Sequence, residues 1–315
     1  MIYFLLIIGL LILIGGANIL VSGASSIAKK FNIPNLIIGL TVVSFGTSFP
    51  ELVINILAGI NGQGDLAIGN VVGSNTINVL LVIGVSAIIR PVAVQSNTVK
   101  FEVPFSLLAM LVLFLLANDA MIDGAEISVL SRIDGIMFLT FFAIFIYYTF
   151  VVSKHSKGDG GHSVKEQPIW KSILFLLAGI VGLYYGGVLI VDNATIIAIN
   201  LGLSQAVIGI LVIALGTSLP ELATSAVAAY KGNSDMAVGN IVGSNIFNVF
   251  FVLGVSASIQ PISFNSTLNI DILYALFSSI LLFLFIFTRK GRQIDRVEAA
   301  VFLLLYLAYV VWLLV

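Results

Sequence analysis

Two short runs concentrate the reactive side chains of this 315-residue chain. Residues 46–52 read GTSFPEL and residues 216–222 read GTSLPEL, so hydroxyls, a proline and a carboxylate crowd together twice. Pro50 has no N–H to donate, and its ring meets the carbonyl of Gly46 four residues back. A helix through this run therefore stops or kinks just before it. A second half-helix can restart with Thr47 or Ser48 as N-cap and Pro50 in its first turn, which puts Glu51 at the positive end of the half-helix dipole. Carbonyls around Ser44 to Thr47 are expected to lose their usual donors. One run thus offers backbone oxygens, hydroxyls and a stabilised carboxylate, and Ala214 to Thr217, Ser218, Pro220 and Glu221 offer the same set again.

The setting makes these groups conspicuous. Hydrophobic residues make up 59% of the chain and charged residues 9%, against about a quarter charged in soluble domains. The composition defines a polytopic membrane protein. Ten apolar runs are long enough to cross a hydrocarbon core as helices, near 2–28, 34–60, 66–89, 101–118, 132–152, 168–195, 204–230, 236–259, 270–288 and 297–315. The first has no basic n-region and runs on to Lys29, so it is expected to be a retained span and not a signal peptide. Cysteine is absent, which excludes disulfides and thiolate metal sites. With ten spans, 13 of the 14 Lys and Arg residues fall in odd-numbered loops, Arg132 being the exception. The bias predicts cytoplasmic odd loops, extracellular termini and a place in the plasma membrane.

The chain repeats itself. At an offset of 170 residues, positions 36–91 match 206–261 at about half of the sites, including Gly62 and Asp65 with Gly232 and Asp235, and AIGNVVGSNTIN with AVGNIVGSNIFN. The expected organisation is a first half at 1–152 (motifs 46–52 and 69–78), a cytoplasmic linker at 153–167 and a second half at 168–315 (motifs 216–222 and 239–248). Five spans per half is an odd number, so the second half enters the membrane from the opposite side. Inverted repeats with broken helices belong to secondary transporters, whose sites lie near the bilayer midplane. Glu51 and Glu221 are the acids expected well inside spans, with Asp192, Asp134, Asp271 and Glu102 in loops or near span ends. Asp65 and Asp235 are expected to cap the helices that follow them.

Carboxylates among carbonyl and hydroxyl oxygens make a hard oxygen site, with both histidines, His155 and His162, confined to the linker. Such a site suits Ca²⁺, which takes about 6–8 oxygens in flexible geometry, and Na⁺ can use the same atoms. Ser74 and Asn78 lie one helical turn apart, as do Ser244 and Asn248, and extend the oxygen-rich face; Asn70, Asn75, Asn240 and Asn245 are alternatives.

On these residues, the paired GTS-PEL and GN-VGSN--N motifs, the chain resembles the sodium/calcium exchanger branch of the Ca²⁺:cation antiporter superfamily over nearly its whole length. The resemblance implies Ca²⁺ held by Glu51, Glu221, Thr47 and Thr217, with Na⁺ sites drawing on Ser44, Ser48, Ser74, Ala214, Ser218 and Ser244 beside the two glutamates. It also implies that the first and sixth spans slide against the other eight, and their glycines (Gly9, Gly15, Gly16, Gly23; Gly179, Gly182, Gly186, Gly187) fit close packing. Asn248 stands where part of that family carries Asp, which argues against potassium coupling. A H⁺/Ca²⁺ antiporter remains the alternative, with a passive cation channel behind it. A hydrolase using Ser48 or Ser218 has no membrane-embedded His or Lys base nearby. No enzyme activity and no cofactor are expected, no nucleic-acid partner is indicated, and no second subunit is required beyond the bilayer and the transported ions.

Overall fold

The computed structural model describes residues 2–96, 98–122, 124–155, 167–201, 214–288 and 292–314. The chain is built from helices: α1 (Ile2–Lys30), the broken pair α2a (Asn35–Thr47) and α2b (Phe49–Ile60), α3 (Gly64–Ile89), α4 (Thr98–Leu116), α5 (Arg132–His155), α6 (Ile169–Asn200), the short α7a (Ala214–Thr217) and α7b (Leu219–Tyr230), α8 (Ser234–Ile259), α9 (Asn269–Phe285) and α10 (Arg296–Leu314). Eight of these are long and apolar enough to cross a membrane unbroken, and α2a with α2b adds a ninth span bent by 47°. The tenth expected span, 204–230, begins in residues outside the described set; its later part, α7a and α7b, is present. Helix α5 runs past the expected end at 152 to His155, and most of the expected linker lies outside the described residues.

The helices are ordered by burial. Helices α3 and α8, which carry the matched NVVGSN and NIVGSN segments, bury 72% and 89% of an 18-residue apolar stretch, whereas α5 and α6 bury 22% of theirs. The first pair therefore forms the centre and the second pair faces outward. Backbone contact makes the centre tight. A methyl group on Gly39 of α2a would stand 2.9 Å from the Met236 carbonyl of α8, and one on Gly239 would stand 2.6 Å from the Leu36 carbonyl. Only glycine permits this approach.

Helices α1 and α6 pack against each other in the same way. A methyl on Gly16 would lie 2.9 Å from Leu183 N, one on Gly179 2.5 Å from Leu20 Cβ, one on Gly186 2.6 Å from Leu13 N, and one on Gly23 2.7 Å from the Ser172 carbonyl. Contacts early in α1 thus meet positions late in α6, so the two helices run antiparallel. They are repeat mates, and their antiparallel course is the inversion of the halves.

The G-x-x-D matches also acquire a physical role. Gly62 and Gly232 have positive φ, at 71° and 79°, just past the ends of α2b and α7b. The Gly62 and Gln63 N–H groups donate back to the carbonyls of Gly59 and Ala58, and those of Gly232 and Asn233 to Ala229 and Ala228. Each is a Schellman stop, where the left-handed residue is glycine. The aspartates are not the helix caps expected of them. Gln63 and Asn233 occupy the cap positions, and the Asn233 side chain accepts from Met236 N. Asp65 and Asp235 are the second residues of their helices and bond outward instead, accepting from Asn265 at 3.4 Å and Gln95 at 2.7 Å, again mates under the 170-residue offset. The loops add two small antiparallel ribbons, β1 (Val92–Ala93) with β4 (Gln293–Ile294) and β2 (Ser128–Leu130) with β3 (Ile262–Phe264).

The α1–α6 contact yields a paired expectation. Gly179→Leu has no space for its side chain and should destabilise the protein by about 1–3 kcal/mol. Gly15→Leu, on the same pair of helices but with nothing within 4 Å of where its Cβ would stand, should be neutral. Thermal unfolding of the two variants in detergent checks this, and equal losses would contradict the packing described.

Candidate cation site at the paired helix breaks

The two breaks are local consequences of sequence. Ser48 and Ser218 adopt nearly identical non-helical conformations (φ −87°, ψ 7° and φ −90°, ψ 2°), each followed by a half-helix with proline in its first turn. Only part of the expected loss of donors occurs. The Ser48 N–H still donates to the Ser44 carbonyl at 2.9 Å, while Ser218 N–H reaches only three residues back, to Leu215, at 3.1 Å. Pro50 leaves the Gly46 carbonyl without its usual i+4 donor. A π-turn, Gly39–Val43, precedes the first break.

Neither serine hydroxyl caps its own half-helix. Ser48 Oγ instead donates across the repeat to Glu221 Oε1 at 3.0 Å, and Ser244 Oγ donates to the same oxygen at 3.3 Å. Glu51 and Glu221 are 0% and 1% exposed and interact electrostatically with each other. Ser74 and Thr217 face Glu51, while Thr47, Ser48 and Ser244 face Glu221. Ser74 with Ser244 and Thr217 with Thr47 are repeat mates, and Ser48 is the one addition on the Glu221 side, so each carboxylate is surrounded by hydroxyls of its own half's α3 or α8 and of the opposite half's break.

Asparagines fasten this assembly. Thr47 Oγ1 donates to Asn240 Oδ1 at 3.1 Å, and its mate Thr217 Oγ1 donates to Asn70 Oδ1 at 3.4 Å. At the centre, Asn78 Nδ2 donates to Asn245 Oδ1 at 3.0 Å and Asn248 Nδ2 donates to Asn75 Oδ1 at 3.1 Å, with Asn75 Nδ2 reaching the Asn245 carbonyl at 3.2 Å. Asn75 and Asn245 thus bond helix to helix, and Asn70 and Asn240 hold the break threonines.

Several buried oxygens have no hydrogen-bond partner: both oxygens of Glu51, Oε2 of Glu221, Oγ of Ser74 and Ser218, and Oδ1 of Asn78 and Asn248. Buried polar atoms of this kind are costly when left unmatched. No group of three or more His, Cys, Asp or Glu residues suited to a metal occurs among the described residues. Any cation held here would draw on two carboxylates and neutral oxygens, the donor set of a hard ion.

Not every expected site residue joins this cluster through its hydroxyl. Ser44 Oγ donates to the Gly39 carbonyl at 2.7 Å and lies 3.0 Å from the Asn240 carbonyl, packed where a side chain on Gly243 would collide with it. Ala214 opens α7a, and Pro50 and Pro220 both line a cleft of about 210 Å³ beside the site, with Thr217, Gly216 and residues of α6. Asn55, one turn beyond Glu51, donates to the Glu51 carbonyl at 2.8 Å, and its mate Ser225 accepts from Asn240 at 3.0 Å. The i, i+4 spacing from each glutamate was the available signal for both. Glu102 lies near the start of α4 as expected, yet it is 0% exposed and accepts from Tyr148 at 2.7 Å.

A polytopic helical protein whose inverted halves each break a helix at a buried carboxylate is a membrane transporter of the exchanger class. Known proteins specify it further. A family model described as "Sodium/calcium exchanger protein" matches residues 1–151 and 171–315, and the chain belongs to that family. It is 32% identical to the sodium/calcium exchanger MaX1 of Methanosarcina acetivorans, over 98% of this chain and 97% of that protein. It is 38% identical to the putative antiporter CaxA of Alkalimonas amylolytica, over 96% and 95%. The structure of the sodium-calcium exchanger NCX_Mj soaked with Na⁺ and Ca²⁺ superposes with a TM-score of 0.81 at 32% identity, covering 97% of this chain and 96% of that one.

The asparagine bridge should carry measurable stability. Asn75→Ala removes the acceptor of the buried Asn248 amide and a donor to the Asn245 carbonyl, at an expected cost of about 1–2 kcal/mol. A lowered melting temperature in detergent, with Asn75→Asp unable to restore it, is the outcome to look for.

Proposed function

We propose that this protein is a secondary antiporter exchanging Ca²⁺ for Na⁺ by alternating access at a midplane site formed by Glu51 and Glu221. The observation that carries this reading is the convergence of unpartnered buried oxygens on repeat-related residues around two buried carboxylates. Two carboxylates balance the charge of one Ca²⁺, and the carbonyls of Thr47 and Thr217 supplement them. Ser44, Ser48, Ser74, Ala214, Ser218 and Ser244 supply neutral oxygens suited to Na⁺, with Asn78 and Asn248 lining the site. Ca²⁺ and Na⁺ cannot both hold the shared carboxylates, and this competition couples the two fluxes.

The halves act as the repeat-built units 1–152 and 168–315. The Lys and Arg distribution supports cytoplasmic odd loops in the plasma membrane, with the termini extracellular. An inward Na⁺ gradient would then drive Ca²⁺ out of the cell. Hydroxyls, and not further buried acids, surround the glutamates, which favours Na⁺ over H⁺ as the coupling ion.

Uptake of ⁴⁵Ca²⁺ into proteoliposomes preloaded with Na⁺, K⁺ or a proton gradient tests the reading. Uptake is expected with internal Na⁺ alone; uptake driven only by the proton gradient would establish the H⁺/Ca²⁺ alternative, and uptake with no counter-ion would establish a channel. Glu51→Gln and Glu221→Gln should each lose Ca²⁺ exchange by at least about 10³-fold, because one carboxylate charge at about 4 Å contributes about 4 kcal/mol per unit of ion charge at a screened dielectric. Robust flux in either variant would contradict the paired-carboxylate site.

A further inference from the structure

The two ends of the repeat are not in the same state. Where α7b ends, Lys231 Nζ donates to the Asn18 carbonyl at 2.9 Å and to Ser22 Oγ at 2.8 Å, both on α1. Ser22 Oγ itself donates to the Asn18 carbonyl at 2.7 Å, so the three groups close a ring. Two residues on, Asn233 Nδ2 donates to Ser25 Oγ at 3.2 Å. The half-helix that presents Glu221 at its start is therefore tied at its far end to α1.

The 170-residue offset maps Lys231 to Asn61, Ser22 to Asp192 and Asn233 to Gln63. Among the described residues, no hydrogen bond joins α6 to Asn61 or Gln63. The 210 Å³ cleft lies on this side instead, lined by Pro50, Val53 and Ile54 from α2b and by Gly187, Val191 and Asp192 from α6, and it reaches Thr217. One pair of mates is joined and the other is parted.

The chemistry of the parted pair still fits. On the joined side the half-helix supplies the donor, Lys231, and α1 supplies acceptors. On the parted side the half-helix would again supply the donor, the Asn61 amide, and α6 would supply the acceptor, the Asp192 carboxylate. We propose that Lys231 is a positioning residue of the exchange cycle, a latch that holds the access route on its own side shut, and that Asp192 and Asn61 meet when the opposite route shuts. Under the orientation proposed above, Lys231 guards the cytoplasmic route and Asp192 the extracellular one. The inference rests on the exchanger reading, and it concerns neither ion ligand nor helix break.

A ligand-accessible equilibrium responds to a latch reciprocally: what destabilises one state weakens apparent affinity on the side it faces and strengthens it on the other. Charge-assisted hydrogen bonds at a partly exposed site shift such an equilibrium by about fivefold to tenfold. Apparent Ca²⁺ affinity is to be measured from each side of oriented proteoliposomes containing the full chain. Lys231→Met should weaken it by about fivefold on the Asp192 side and tighten it on the Lys231 side, and Lys231→Arg should stay near wild type. A purely structural role would lower transport from both sides together. Because the chain has no cysteine, a Ser22→Cys/Lys231→Cys double variant can be closed with a short bis-thiosulfonate. Exchange should stop and return on reduction. Unchanged affinities on both sides in Lys231→Met, or full exchange in the cross-linked protein, would overturn the latch. Absence of ⁴⁵Ca²⁺ exchange in the wild type would overturn the exchanger reading instead.

Discussion

A polar atom inside a membrane must be met by another polar atom or by an ion, because no water stands by to replace a missing partner. This constraint organises the molecule. At each helix break the opposite half supplies hydrogen-bond partners: Asn240 for Thr47, Glu221 for Ser48, Asn70 for Thr217. Ser48 makes the trade explicit, since its hydroxyl forgoes the local cap that such residues usually supply and bonds Glu221 instead, whereas its mate Ser218 neither caps nor finds a partner among the described residues. Neither half could complete its polar interior alone.

Two modes of packing serve this arrangement. The centre, α3 and α8 with α2a, brings backbones close through Gly39, Gly239 and Gly243, which lets Asn and Ser side chains span from helix to helix at hydrogen-bond distance. Around it, aromatic side chains fill the spaces: Phe250 stacks on Phe141 at 5.2 Å, and Phe142 meets Phe247 edge-on at 4.8 Å. Helices α1 and α6 stand apart from this centre and pack chiefly on one another.

Much of this was legible in the sequence because duplication writes each feature twice. Proline, glutamate and the flanking hydroxyls announced the breaks, and an odd number of spans per half announced the inversion that the antiparallel α1 and α6 display. What escaped were features decided by tertiary partners. Asp65 and Asp235 resemble caps in sequence, but Gln63 and Asn233 take those positions, because a cap depends on where the preceding Schellman turn releases the chain. The π-turns at Asn78–Val82 and Phe247–Leu253 leave no compositional mark, yet they re-aim Asn78 and Asn248 relative to a regular helix. Glu102 stands near a span end, and its burial follows from Tyr148, 46 residues away, which no local pattern links to it.

The glycine face between α1 and α6 has a mechanical consequence. Backbones in contact along most of their length, with Ser26 and Ser172 bonded at 2.9 Å near one end, leave no slack for one helix to shift without the other. The pair behaves as a single rigid beam lying across the rest of the protein. In the exchange proposed above, a stiff unit that closes toward one end opens toward the other, so its rigidity would act with the latch to keep the two mouths from gaping together.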